Sequence, residues 1–231
     1  MRCMKKIYFI IVLSVLFCHS YSQQLRQVTF TENFDLAWFS LVTNQNILIR
    51  ISSDGQIMEA GTEESALYNR NYFAQKLRPY QGNIAYYDGR SDSAFKGKIK
   101  NIGTCYFTYF PSSDYPEKAG KIKSAGNLFF DYYRSYEDAS IGGRVKNIGG
   151  NAIAYFTSLE DEALKGKLKI VGTTPITYYS SFDNVLLKGK LKSIGTYHCE
   201  WNTVYSGGQA FVNLKSGYQR QLINGITYVL Q

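Results

Sequence analysis

A seven-residue motif returns in this chain every 23 residues: GKIKNIG from Gly97, GKIKSAG from Gly120, GRVKNIG from Gly143, GKLKIVG from Gly166 and GKLKSIG from Gly189. A fixed period means one supersecondary unit stacked on copies of itself, each completing the core of its neighbour. Counting from the first glycine of each copy, position 2 is Lys98, Lys121, Arg144, Lys167 and Lys190. Position 4 is Lys100, Lys123, Lys146, Lys169 and Lys192, and position 7 is always glycine. Apolar residues hold position 3 (Ile99, Ile122, Val145, Leu168, Leu191), and an aromatic holds position 13 (Tyr109, Tyr132, Tyr155, Tyr178, Trp201).

The unit reads as a strand, a glycine turn, a second strand and a polar loop of Ser, Thr, Asp and Glu. It carries at least two glycines, is rich in β-branched and aromatic residues, and has no 3.6-residue pattern, so helix is excluded. Residues 164–170 alternate cleanly, with Leu164, Gly166, Leu168 and Ile170 on one side and Lys165, Lys167 and Lys169 on the other. By this parity positions 2 and 4 share one face and positions 1 and 3 the other. Glycine at position 7 is expected to supply a positive φ in the turn. Glycine at position 1 is expected inside a strand, its gap covered by a neighbouring tyrosine. Position 6 is apolar (Ile102, Ala125, Ile148, Val171, Ile194) although parity places it on the lysine face. Either that end of the sheet is buried on both faces, or a bulge shifts the parity. The fold class is all-β: an antiparallel meander of 23-residue β-hairpin repeats in an open or curled sheet.

Four segments follow. Residues 1–22 have the form of an export signal, with Arg2, Lys5 and Lys6, an apolar run at 7–17 and small residues at Ser20 and Ser22. Plain secretion fits better than lipid attachment at Cys18, because Phe17 is too large for the small residue expected there. Residues 23–73 form a β-rich capping region. Strands are expected at 28–30 and 36–42, a hairpin across 47–59 around Asp54-Gly55, and some helical character at 63–71. Residues 74–202 are the repeat array, opening with a degenerate copy. Residues 203–231 supply closing strands at 211–214 and 226–230. Without the signal's three basic residues, 23 basic and 18 acidic side chains give a net charge of +5.

Few residues suit catalysis. Past residue 22 the single histidine is His198, so His-rich metal sites and Ser-His-Asp or Cys-His arrangements are hard to build. No catalytic residue, metal site or cofactor is assigned. Carboxylates in the loops (Asp114, Glu137-Asp138, Glu160-Asp161, Asp183) recur at equivalent places, as turn formers do. Cys105 and Cys199 lie about four repeats apart, roughly 38 Å along an open sheet, too far for a disulfide unless the sheet closes. The ten basic residues at positions 2 and 4 are the candidate binding residues, with Phe110, Tyr133, Phe156 and Tyr179 beside them.

Over residues 74–202 the repeats resemble a group of exported bacterial proteins carrying GKhKxhG, with h apolar, followed by a Tyr-[Tyr/Phe] pair. Tyr109-Phe110 and Tyr155-Phe156 are such pairs. The resemblance implies no activity. The period matches that of MORN hairpins, but their tight G-x-G spacing is missing. The functional expectation is a secreted or surface-associated, non-catalytic repeat protein, structural or binding an extended anionic polymer. Its expected partner is an acidic glycan or another cell-surface polymer, not nucleic acid, and no transmembrane helix is expected once the signal is removed. The alternatives are an outer-membrane β-barrel and an enzyme built around Asp54, Glu59, Glu63 and Glu64.

Overall fold

The computed structural model describes residues 23–63, 77–215 and 220–231. The expected export signal at 1–22, the helical character past Glu63 and the start of the degenerate copy at 74–76 lie outside the described residues. Among the described residues every regular element is a strand. No helix among them is long and apolar enough to cross a membrane.

The capping region forms β1 (Gln24–Phe30), β2 (Leu36–Val42), β3 (Leu48–Ile51), β4 (Ile57–Glu63) and β5 (Leu77–Pro79). The repeats follow as β6 (Ile84–Tyr86), β7 (Ile99–Ile102), β8 (Cys105–Tyr109), β9 (Ile122–Ala125), β10 (Leu128–Tyr132) and β11 (Val145–Ile148). They continue as β12 (Asn151–Tyr155), β13 (Leu168–Val171), β14 (Thr174–Tyr178), β15 (Leu191–Ile194) and β16 (Tyr197–His198). Last come β17 (Trp201–Ser206), β18 (Gln209–Leu214), β19 (Arg220–Ile223) and β20 (Ile226–Leu230).

Strands β6 to β16 lie side by side in chain order as an 11-stranded antiparallel meander. It has two ends, β6 and β16, and so is open, the first of the two shapes expected. A membrane-spanning barrel needs a closed sheet, and none forms among the described residues. A second, 7-stranded sheet runs β19-β20-β1-β2-β3-β4-β5. Here β20 closes the capping region, as expected of closing strands, by pairing in parallel with β1. The strand expected at 211–214 instead belongs to β17–β18, a two-stranded sheet of its own.

One hydrophobic cluster draws on both large sheets. Val28, Phe39, Leu41 and Ile49 of the smaller sheet are buried with Ile102, Phe107, Ile122, Ile148 and Leu168 of the meander. Polar seams hold the sheets together at their rims. The backbone N–H of Thr104 donates to Oε1 of Gln45 (2.8 Å), that of Asn127 to Oε1 of Gln23 (2.7 Å), and that of Val145 to the carbonyl of Ser53 (2.8 Å).

Within the meander each copy contributes positions 3, 6, 11 and 13 to the core. In the third copy these are Val145, Ile148, Ile153 and Tyr155, all buried. Positions 3 and 6 can share a face only if one residue between them is extra, and the register shows that residue. Tyr109 faces Ile122 while Thr108 faces Ser124, skipping Lys123. The same slip skips Lys100, Lys146, Lys169 and Lys192 in the other four ladders between copies. Position 4 is therefore a β-bulge in every copy, the second of the two explanations that parity left open.

The glycines at positions 1 and 7 both take left-handed backbone angles, for example φ 78° at Gly143 and 60° at Gly149. The expectation holds for position 7. For position 1 it is corrected: Gly143 ends the polar loop as a turn residue, outside the strands, with its N–H donating to the carbonyl of Tyr133 (2.8 Å).

Candidate functional site

The two basic rows part company in the structure. Parity alone placed positions 2 and 4 on one solvated face. The structure puts them on opposite sides of the meander: position 2 precedes the strand, directly after the left-handed glycine at position 1, and does not share the strand's alternation.

The position 2 row is turned inward, toward the smaller sheet. Each side chain lies over the aromatic at position 13 of its own copy: Lys98 over Tyr109, Lys121 over Tyr132, Arg144 over Tyr155, Lys167 over Tyr178, all four rings buried, and Lys190 over the half-buried Trp201, at 5.2–5.4 Å from the ring centres. Lys98, Lys121 and Arg144 each donate to the carbonyl of the position 1 glycine in the next copy: Gly120, Gly143 and Gly166. In the fourth copy, Lys167 donates instead to the Asp35 carboxylate (2.6 Å) and the Asn33 carbonyl (3.0 Å) in the turn between β1 and β2. Burial holds the Lys98 and Lys121 ammonium groups below the ordinary lysine pKa, and the Asp54 carboxylate works against that shift at both. This row ties copy to copy and sheet to sheet.

The position 4 row points outward. Its ammonium groups lie over the position 14 rings of the preceding copy. Lys100 is over Tyr87, Lys123 over Phe110, Lys146 over Tyr133, Lys169 over Phe156 and Lys192 over Tyr179, at 5.0–5.9 Å. Tyr87, Phe110, Tyr133 and Phe156 in turn stand edge-on to the position 13 rings of the next copy, as in Tyr133–Tyr155 at 6.1 Å. The side chains of Lys146 and Lys169 are 40% and 41% exposed, against 11% for Lys167 in the other row. Lys146 and Lys169 pair with Glu137 and Glu160 at 2.5 and 2.6 Å. For Lys100, Lys123 and Lys192 no carboxylate among the described residues comes within ion-pair distance, and all three are exposed. One copy is two strands wide, so the row repeats about every 9.6 Å. On the same face, position 10 presents Tyr106 and Phe129, 58% and 67% exposed.

The recurring loop carboxylates act as turn and loop ties. The Asp138 carboxylate accepts from the Ser140 hydroxyl and N–H in its own loop, and from the N–H and hydroxyl of Ser158 in the next. Asp161 reaches Ser181 in the same way, and Asp92 reaches Ser112. These hydrogen bonds hold Asp138 and Asp161 below the ordinary carboxylate pKa. Glu137 and Glu160 accept from the N–H groups of Arg134 and Thr157.

The described carboxylates considered for an enzyme each have a partner of their own. Asp54 accepts from the Ser52 hydroxyl, Glu59 pairs with Arg50, and Glu63 lies 3.5 Å from Arg220. Glu64 lies outside the described residues. No group of three or more His, Cys, Asp or Glu among the described residues is placed to hold a metal ion. His198 is exposed at position 10, facing Ser193. Cys105 and Cys199 are both buried and unpaired, and burial pushes each thiol up to about 11.

Sequence reasoning missed the pairing of each cation with a ring. The signal was present: both lysines and the aromatic pair at positions 13 and 14 recur together in the same units. No protein-family model, curated protein or solved structure matches this chain.

Proposed function

We propose that this chain is an exported, non-catalytic repeat protein whose outer meander face binds an extended anionic polymer, an acidic glycan of the cell surface being the class that suits an exported protein. The observation that carries the reading is the bulge. It projects one lysine per copy to solvent at a constant spacing, and the supporting rings fix where each charge stands. A polymer with regularly spaced acidic groups can meet such a row along its length. Tyr106 and Phe129 add flat apolar surface beside the charges, of the kind sugar faces rest on. Position 2 lysines and Arg144, spent on carbonyls and rings inside the fold, have no part in this surface.

The test is retention of the purified protein on immobilised heparin. The triple variant Lys100→Gln, Lys123→Gln, Lys192→Gln removes three exposed contacts worth roughly 0.5 kcal/mol each. Binding should weaken about tenfold, with the melting temperature little changed. Wild-type retention should fall with salt, since exposed charges are screened beyond about 8–10 Å. A triple variant retained as strongly as wild type, or a wild type that passes heparin unretained at low salt, removes the reading.

A further inference from the structure

The hairpin β17–β18 is the segment that neither large sheet covers. Its base is anchored, with the Trp201 indole N–H donating to the carbonyl of Leu191 (2.9 Å) and its ring standing edge-on to Phe34 at 5.2 Å. Beyond that anchor runs an unbroken ladder from Trp201↔Leu214 to Ser206↔Gln209. Gly207 and Gly208 close it with φ of 58° and 78°, the left-handed pair a two-residue hairpin turn requires. Among the described residues neither strand pairs with another neighbour. Val204, Tyr205 and Phe211 are exposed.

The composition of this hairpin departs from that of the rest of the chain. Residues 201–214 read WNTVYSGGQAFVNL, without a charge or a proline. The repeats put two basic residues into every hairpin, and exposed strand edges are normally guarded by charge, proline or a bulge. Here all three guards are missing from two regular, unpaired edges. One face of the hairpin collects Thr203, Tyr205, Ala210 and Val212 beside Trp201 and Leu214. A solitary two-stranded hairpin is marginal in water, and gains independent stability from a third strand with an apolar face.

We propose that β18 pairs antiparallel with β18 of a second copy of this chain, building a four-stranded sheet across a twofold axis. A neutral edge meets its own copy without repulsion. Two identical edges running antiparallel are self-complementary and close the assembly at two. β18 is the edge used, because Trp201 ties the base of β17 to the meander. The groups that pair are set by the turn. The pair flanking a two-residue turn exchanges both hydrogen bonds, so alternate residues turn their N–H outward. On β18 these are Ala210 and Val212, and on β17 they are Thr203 and Tyr205. This proposal stands independently of polymer binding.

Sedimentation velocity over a concentration series tests it. Wild type should shift from monomer to dimer as concentration rises. The double variant Ala210→Pro, Val212→Pro removes only outward N–H groups, a placement proline tolerates on an edge, and should remain monomeric. Val212→Lys, which keeps the backbone and adds a like charge to both paired edges, should weaken the dimer at low salt and serves if the prolines disturb the hairpin. Thr203→Pro, on the other edge, should dimerise as wild type does. Three results would overturn the proposal: a wild type monomeric up to about 100 μM, a Kd equivalent to about 5 kcal/mol; undiminished dimers in both β18 variants; or open-ended assemblies beyond the dimer.

Discussion

Replacing Tyr155 by alanine should cost about 3–5 kcal/mol of folding stability, the range for a buried aromatic lost from a packed core. Its side chain is 3% exposed, edge-on to Tyr133, with the Arg144 guanidinium 5.2 Å above the ring. The hydroxyls of this ladder make a finer test. That of Tyr132 donates to the carbonyl of Ile122 (2.8 Å), while that of Tyr155 is buried without a hydrogen-bond partner among the described residues. Tyr132→Phe should therefore cost about 1 kcal/mol, and Tyr155→Phe should be neutral or slightly stabilising. Denaturant unfolding of the three variants checks both claims. A loss below about 0.5 kcal/mol for Tyr155→Ala would put the ladder in solvent.

Gly55→Val should be nearly as damaging, for a different reason. Gly55 sits in the turn between β3 and β4 at φ 82°, where a β-branched residue is strained. A Cβ there would also lie 2.1 Å from the Tyr132 hydroxyl oxygen, so the ring would have to move. This turn is a seam between the sheets, since the Ser53 carbonyl accepts from the N–H of Val145. Backbone strain and overpacking together give an expected cost of about 2–5 kcal/mol. An unchanged denaturation midpoint would mean that the turn does not rest on Tyr132 of the second copy.

The meander was legible in the sequence because its period is strict and its apolar positions are few. Positions 3, 11 and 13 read directly as core. The glycine at position 7 read as a turn for a sound reason: only a left-handed residue fits there. Position 1 was misplaced because Gly166 falls in step with Leu164 and Leu168. A run that alternates by chance looks like a strand even where the chain is turning. The bulge left a trace in the apolar position 6, but two explanations fitted it. Choosing between them needs the partner strand, which lies a full copy away. The smaller sheet was legible only in part, because β1 and β20 are paired across nearly the whole chain and no local signal marks that pairing.

The candidate face was half legible. All ten basic residues were visible, but not their division into an inward and an outward row: parity counted position 2 as part of the strand, whereas it precedes the strand and follows a left-handed glycine. Once that residue is placed, Lys121 and Lys123, two apart in sequence, have opposite surroundings. Lys121 is over a buried ring with its charge on a carbonyl, and Lys123 is over a rim ring and open to water.

Amine labelling of the folded protein at limiting reagent, resolved residue by residue by mass spectrometry, tests this division most directly. The account predicts that Lys100, Lys123 and Lys192 label first, with Lys98, Lys121 and Lys167 lagging until the protein is unfolded. Equal rates for the two rows, or faster labelling of position 2, would contradict the inward and outward division and the binding face built on it.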